Sequence, residues 1–260
     1  MTTTYPLPHA SLDLTGQVAF VTGCSAGLGV RFAKALAAAG AKVAITARRK
    51  DRLEALAQEI RAAGGECEPI ALDMQDPKQI VAAVDRAERA LGLVTILVNN
   101  AGIPDAQHAA KMSLDLVNAV FDTNLRGPFI LSCEVARRLI AAKQRGRMVN
   151  ISSMGAFRYQ GGGGAALYSI TKAGIVRMTE ALSAEWAGFG INVNCIAPGA
   201  FQSEMMDGML SRIGDISKGF PRKRVLDPAL MDSTLLYLVA PSSEAVTGTT
   251  IKIDDGQGPK

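Results

Sequence analysis

Between residues 17 and 253, short runs of β-forming apolar residues alternate with longer amphipathic runs, and this alternation leaves the chain few folds to choose from. Residues 17–22 read as a strand that runs into the turn GCSAGLG and then into a helix over 30–39 closed by Gly40. A second strand covers 42–47, and 51–63 is an amphipathic helix with Leu53, Leu56 and Ile60 on one face, stopped by Gly64 and Gly65. A strand at 67–72 leads to Asp76 as N-cap, Pro77 in the first turn, and a helix over 78–91. Strands at 95–98, 147–151, 192–196 and 250–253, with helices at about 113–124, 128–143 and 167–186, continue the pattern. Asp227 and Pro228 start a last helix. Strands joined through helices imply right-handed crossovers, so the expected class is α/β, a parallel sheet with helices on both faces. No linker divides the chain: residues 1–12 read as an N-terminal arm punctuated by Pro6 and Pro8, and 13–260 as one domain. The long stretch 199–225 carries no periodic pattern and is a candidate substrate lid or binding loop.

The first strand, turn and helix carry the earliest functional signal. Gly23, Gly27 and Gly29 let the backbone approach a pyrophosphate, which would lie on the helix N-terminus. This context makes the sheet a doubly wound, Rossmann-type one with a dinucleotide across the carboxyl ends of its strands. An NAD site usually places an acid at the end of the second strand to bind the ribose diol. Here that end reads TARRKDR, with Ala47 at the acid's position followed by Arg48 and Arg49, and an arginine fork suits a 2′-phosphate. NADP(H) is the preferred cofactor; NAD(H) stays open.

The second signal is the segment 150–174, NISSMGAFRYQGGGGAALYSITKAG. Tyr168 and Lys172 lie four apart and so share one face of a helix. A unit positive charge about 4 Å from the phenol, at an effective dielectric of about 20, favours the phenolate by roughly 4 kcal/mol. That corresponds to an upper value of about three pKa units below a tyrosine's usual ~10, enough to make Tyr168 a general acid or base near neutral pH. Ser153 would reach the same substrate oxygen if the intervening loop folds back, with Ser152 as the alternative.

Composition narrows the remaining classes. Lys and Arg exceed Asp and Glu by 28 to 24 and are spread through the chain, which points to no nucleic-acid or membrane partner. The apolar runs are short and interrupted by charge, and the opening MTTTYPLPHASLDL lacks a signal-peptide pattern, so a cytoplasmic location is expected. Cys24, Cys67, Cys133 and Cys195 show neither metal spacing nor a pairing pattern, so no metal is expected.

Taken together, TGCSAGLG, NNAG at residues 99–102, Asn124, the serine, YSITK and the Pro198-Gly199 pair resemble the short-chain dehydrogenase/reductase family over residues 12–256. The resemblance implies a catalytic set of Asn124, Ser153, Tyr168 and Lys172. Ser153 would orient the substrate oxygen and Tyr168 exchange the proton; Lys172 would bind the nicotinamide ribose and lower the tyrosine pKa, and Asn124 would hold a relay water. Asp73 would meet the adenine amine, Asn99 and Gly102 would border the cofactor, and Pro198, Gly199 and Ser203 would lie along the nicotinamide. Ser25, Leu28, Met74, Asn100, Ala101 and Phe201 complete the implied cofactor contacts.

The implied activity is hydride transfer between a nicotinamide and a ketone or secondary alcohol, in the direction of carbonyl reduction with NADP(H). The substrate would be a small-molecule 3-oxoacyl, polyol or bulky apolar carbonyl compound, the last suited by Met205, Met206 and Met209. A catalytically silent dinucleotide-binding module, for redox sensing or scaffolding, is the alternative. The family also implies a homo-oligomer, tetramer or dimer. Two departures stand out: the extra run at residues 161–164, and Asp255 where the family usually has a glycine.

Overall fold

The computed structural model describes residues 7–159 and 164–258. Strands β1 (Val18–Thr22), β2 (Lys42–Ala47), β3 (Cys67–Ala71) and β4 (Ile96–Asn99) alternate with helices α1 (Gly27–Ala38), α2 (Lys50–Ala62) and α3 (Pro77–Leu91). Helices α4 (Leu114–Phe121) and α5 (Gly127–Ala142) lead to β5 (Gly146–Ile151), and α6 (Ala166–Trp186) leads to β6 (Ile191–Pro198). Helices α7 (Glu204–Ile213) and α8 (Asp232–Val239) precede β7 (Thr250–Ile253). The seven strands form one sheet in the order β3-β2-β1-β4-β5-β6-β7, with every pairing parallel.

Both sheet faces are dry, which is why β1 and β6 are buried along their whole length. One apolar layer sets Phe32, Leu36, Leu53 and Leu235 against Val21, Ile45 and Val98. The other sets Ile80, Leu131, Leu139 and Ile175 against Phe20, Leu97 and Val193. The chain reverses its direction of winding between β1 and β4, and a crevice opens there at the carboxyl ends of the strands.

Two local features differ from the sequence expectation. The separate helices expected at 113–124 and 128–143 are joined by a π-helical turn, Asp122–Arg126, so the backbone stays right-handed helical from Phe121 to Gly127. Proline has no N–H to donate and its ring crowds the carbonyl one turn back; the wider turn ahead of Pro128 accommodates both. The stretch 199–225 is not irregular throughout, because it contains α7, capped by the Ser203 side chain accepting from the Met206 N–H at 3.2 Å. As a surface-lying arm would, residues 7–13 are exposed, with Ser11 exchanging hydrogen bonds with Ser242 ahead of the fully buried Leu14. Of the glycine run, residues 161–163 lie outside the described residues, as do arm residues 1–6.

Candidate active site

A cleft of about 840 Å³ follows the carboxyl edge of the sheet from the glycine turn to α7. Its first wall is the turn after β1. Gly23 and Gly27 both have positive φ, at 74° and 58°. Gly29 serves a different purpose, since a Cβ there would collide with the Gly23 carbonyl and lie 2.7 Å from the Asn100 amide nitrogen. Its bare backbone therefore lets α1 begin directly on the strand end. Asn100 stitches the two sides of the crevice together, its side-chain N–H donating to the Thr22 and Gly23 carbonyls at 2.8 and 3.3 Å. The backbone N–H groups of Asn100 and Ala101 both donate to the Thr22 hydroxyl at 3.0 Å. Ser25, Leu28, Arg48, Arg49, Asp73, Met74 and Gly102 line the same cleft.

Asn99, expected to border the cofactor and the central strand, ends β4. It is buried beneath the cleft, its amide N–H groups donating to the Ser132 hydroxyl at 2.9 Å and the Asn150 amide oxygen at 2.8 Å. Asn150 in turn donates to Thr179 at 2.9 Å, so a polar chain ties β4 and β5 to α5 and α6.

At the other end of the cleft, Ser153, Tyr168 and Lys172 converge. Ser153 caps the short 3-10 turn after β5, its hydroxyl accepting from the Gly155 N–H at 3.0 Å, and it shares a side-chain hydrogen bond with Tyr168. Ser152, the alternative serine, is buried and donates its hydroxyl to the Lys172 carbonyl at 2.7 Å, which leaves Ser153 as the serine bonded to the phenol. Lys172 is 4% exposed, with its ammonium donating to the Ile151 carbonyl at 2.8 Å and lying 5.6 Å from the Tyr168 ring centroid.

The electrostatics correct one expectation. Burial pushes the Tyr168 pKa above its ordinary value, with the Ser153 hydrogen bond opposing and the Asp105 carboxylate adding to the rise. The same burial pushes Lys172 down to about 8. Lys172 is buried and Tyr168 half-buried, and desolvation drives both toward their neutral forms against the attraction assumed from their helical spacing. At neutral pH Tyr168 is therefore a phenol with a proton to give.

Asn124 sits in the π-helical turn beside this cluster and is 1% exposed. Its amide oxygen accepts from the Ile103 N–H at 2.8 Å, and its amide N–H donates to the Ile103 carbonyl at 2.9 Å. It holds the loop after β4, and a Cβ on Gly102 would lie 3.5 Å from its oxygen and 3.4 Å from the Lys172 nitrogen.

Several lining residues were not apparent in the sequence. Asp105, 3% exposed, accepts from the Tyr168 backbone N–H at 3.0 Å and so caps α6, whose own N-cap residue Ala165 offers no side chain for the purpose. Gln257 and Gly258 close the cleft behind Pro198 and Gly199, with the Gln257 carboxamide oxygen accepting from the Ala200 N–H at 2.7 Å. Asp255 adopts a left-handed φ of 53°, a conformation aspartate tolerates, and pairs with Arg222 and Arg224 at 3.0 and 2.8 Å. Arg52 was also missed. It joins Arg49 on the carboxylate of Glu204, and Arg49 also donates to the Ser25 hydroxyl, so two arginines hold one anionic group beside the glycine turn. Phe201 and Ser203 line the opposite wall, the Ser203 backbone lying over Gly27.

Among the described residues, no cluster of His, Cys, Asp and Glu could hold a metal, and no helix is long and apolar enough to cross a membrane. Burial raises the pKa of the Cys24 thiol in the glycine turn, which keeps it protonated and unreactive.

The family model described as short chain dehydrogenase matches residues 17–213. The chain is 35% identical over 243 residues to an acetoacetyl-CoA reductase of Acinetobacter, covering 92% of this chain and 97% of that protein. It is 33% identical over 245 residues to a 3-oxoacyl acyl-carrier-protein reductase of Synechocystis, covering 94% and 97%. An actinorhodin polyketide ketoreductase crystallised with NADPH superposes with a TM-score of 0.88 at 32% identity, covering 94% of this chain and 98% of that one. The chain belongs to the short-chain dehydrogenase/reductase family, whose members are oxidoreductases that use nicotinamide cofactors and act on carbonyl or alcohol groups.

Proposed function

We propose that this protein is an NADP(H)-dependent reductase of ketones, with a 3-oxoacyl thioester as the leading substrate and polyol-derived or bulky apolar ketones as the other members of the class. The observation that carries the reading is the convergence of the Ser153 and Tyr168 hydroxyls with the Lys172 ammonium at one end of a cleft whose other end is a glycine turn beside paired arginines. The residues fit a dinucleotide. The Gly23 to Gly29 turn leaves backbone where a pyrophosphate would lie, and Arg49, itself bonded to Ser25, and Arg52 already hold a carboxylate where a 2′-phosphate would go. Arg48, exposed on the same rim, would be a further phosphate ligand, and Asp73 and Met74 would flank the adenine.

When bound, the dinucleotide supplies or accepts the hydride. In the reducing direction Tyr168 gives its proton to the carbonyl oxygen while the Ser153 hydroxyl donates a hydrogen bond to that oxygen and fixes its place. Lys172 neutralises charge developing on the phenol, and Asn124 fixes the loop of Ile103, beside which a relay water would be held. Ala101, Gly102, Pro198, Gly199, Phe201 and Ser203 line the cleft where the nicotinamide would lie. The reductases of 3-oxoacyl thioesters among the relatives support the substrate class.

Residues 13–260 act as one domain, a reading supported by the two apolar layers on the faces of a single sheet. Phe121 on α4 and Phe129 on α5, both exposed, support a homo-oligomer. The test follows nicotinamide absorbance with NADPH and a panel of acetoacetyl thioesters, ketoses and apolar ketones, for the wild type and Tyr168→Phe. Oxidation by the wild type alone, fastest with the thioester, is the expected result; equal rates in the two proteins would overturn the assignment.

A further inference from the structure

Glu204 is the first residue of α7, on the wall of the cleft facing the arginines, far in sequence from the glycine turn. Its carboxylate accepts from Arg49 at 2.9 and 3.4 Å and from Arg52. The same Arg49 nitrogen donates to the Ser25 hydroxyl at 2.8 Å, and Arg52 reaches the Ser25 carbonyl at 3.4 Å. Two guanidinium groups therefore hold one carboxylate, and both also donate to Ser25 at the mouth of the glycine turn. The neighbouring cap residue Ser203 packs over Gly27, so the start of α7 rests on the glycine turn as well as on the arginines. The two arginines hold the Glu204 carboxyl below the usual carboxylate range, so it is charged at neutral pH.

We infer that Glu204 is a specificity-determining residue: it is an intramolecular counter-anion occupying the place of the cofactor 2′-phosphate, which must displace it from Arg49 and Arg52 to bind. This role rests on the NADP(H) reading of the cleft and adds to it a competitor built into the protein. The chemistry is that of one dianionic phosphate replacing one carboxylate on the same planar donors, and arginine forks accept either group. A cofactor with a free 2′-hydroxyl makes no such demand, and Glu204 can stay in place when it binds. Glu204 thus weakens binding of the phosphorylated dinucleotide and leaves the unphosphorylated one unaffected. Because the carboxylate belongs to α7, the exchange also removes one of the two anchors at the start of the helix that carries Met205, Met206 and Met209, leaving Ser203 on the glycine turn.

Both ion pairs are about half exposed, so each is worth little, and together they predict an effect of roughly threefold to tenfold in affinity. The experiment is calorimetric titration of the full chain with 2′,5′-ADP and with 5′-AMP, for the wild type, Glu204→Gln and Arg49→Ala. Glu204→Gln is expected to bind 2′,5′-ADP roughly threefold to tenfold more tightly at low salt, with 5′-AMP unchanged and the gain shrinking as salt is raised. Arg49→Ala is expected to weaken 2′,5′-ADP and spare 5′-AMP. Loss of 2′,5′-ADP binding in Arg49→Ala with no gain in Glu204→Gln would overturn the role of Glu204 alone. No change in either variant would overturn the 2′-phosphate site together with it. Weaker 5′-AMP binding in Glu204→Gln would also overturn the inference, because the carboxylate would then be a ribose ligand.

Discussion

The Asp105 carboxylate, which is almost completely buried, accepts a hydrogen bond from the backbone N–H of Tyr168 at 3.0 Å. A helix that carries the proton donor of the site is thus capped by a residue from the loop after β4, and the same carboxylate stands where its charge raises the phenol pKa. One side chain 63 residues away thus positions Tyr168 and adds to the rise in its proton affinity that burial begins.

Asp105→Ala should lower stability by about 1–2 kcal/mol through loss of the cap, while Asp105→Asn, which keeps an acceptor, should lose less. With the negative charge gone, the limb of the kcat/KM profile that reports Tyr168 should move to lower pH in Asp105→Asn. The check is a pH–rate profile beside urea unfolding of all three proteins; an unmoved limb would mean that the carboxylate acts only as a cap.

Tyr168→Phe should reduce turnover by a factor on the order of a hundred to ten thousand, as removal of a positioned general acid does, with dinucleotide affinity unchanged. Ser153→Ala should cost less, on the order of tenfold to a hundredfold, because it removes a hydrogen bond and leaves the proton donor. Steady-state rates and nucleotide titrations separate the two effects.

Lys172 titrates near pH 8 in the fold against 10.5 in the unfolded chain. Below pH 8 both states hold the proton and the fold bears the full cost of burying it, roughly 3 kcal/mol for that difference. As pH rises from 8 to 10.5 the unfolded chain binds more protons than the native one, so this penalty is relieved and stability increases. Urea unfolding of the wild type and Lys172→Met at about pH 7.5 and about pH 10 should show the wild type gaining on the variant at the higher pH. A gap that stays constant would remove Lys172 as the source.

Gly29→Ala should destabilise the protein by about 1–3 kcal/mol, because its Cβ meets the Gly23 carbonyl and the Asn100 amide and the turn must open to admit it. Dinucleotide binding should be lost before folding is. Gly188→Ala, in open space at ordinary φ, is the matched control and should leave both unchanged.

The βα alternation was legible because apolar period and turn chemistry agree along most of the chain. Residues 42–47 and 250–253 were read to the residue, and the Asp76 cap is confirmed by its carboxylate accepting from Lys78 and Gln79. Local patterns could not show what depends on contacts distant in sequence. Pro128 looked like a helix start because a π-helical turn leaves no periodic signature to distinguish it from a break. Asp105, Gln257, Arg52 and Glu204 come to the cleft from loops and helix ends whose spacing says nothing about where they meet. The Tyr168 and Lys172 pair was visible in spacing, but the direction of the pKa shift was not, since it is decided by how dry the pocket is.

The bracket formed by Asn124 has a consequence for which substitutions that position admits. Its carboxamide faces Ile103 as another strand's peptide group would, offering one acceptor and one donor to the N–H and C=O of a single residue. The sheet's pairing rule is thereby extended past the end of β4 by a side chain. Aspartate matches asparagine in shape and fails this rule, because a carboxylate would set oxygen against the Ile103 carbonyl. The position therefore selects on the arrangement of hydrogens rather than on volume, and glutamine, which carries the same group on a longer stem, cannot present it in register.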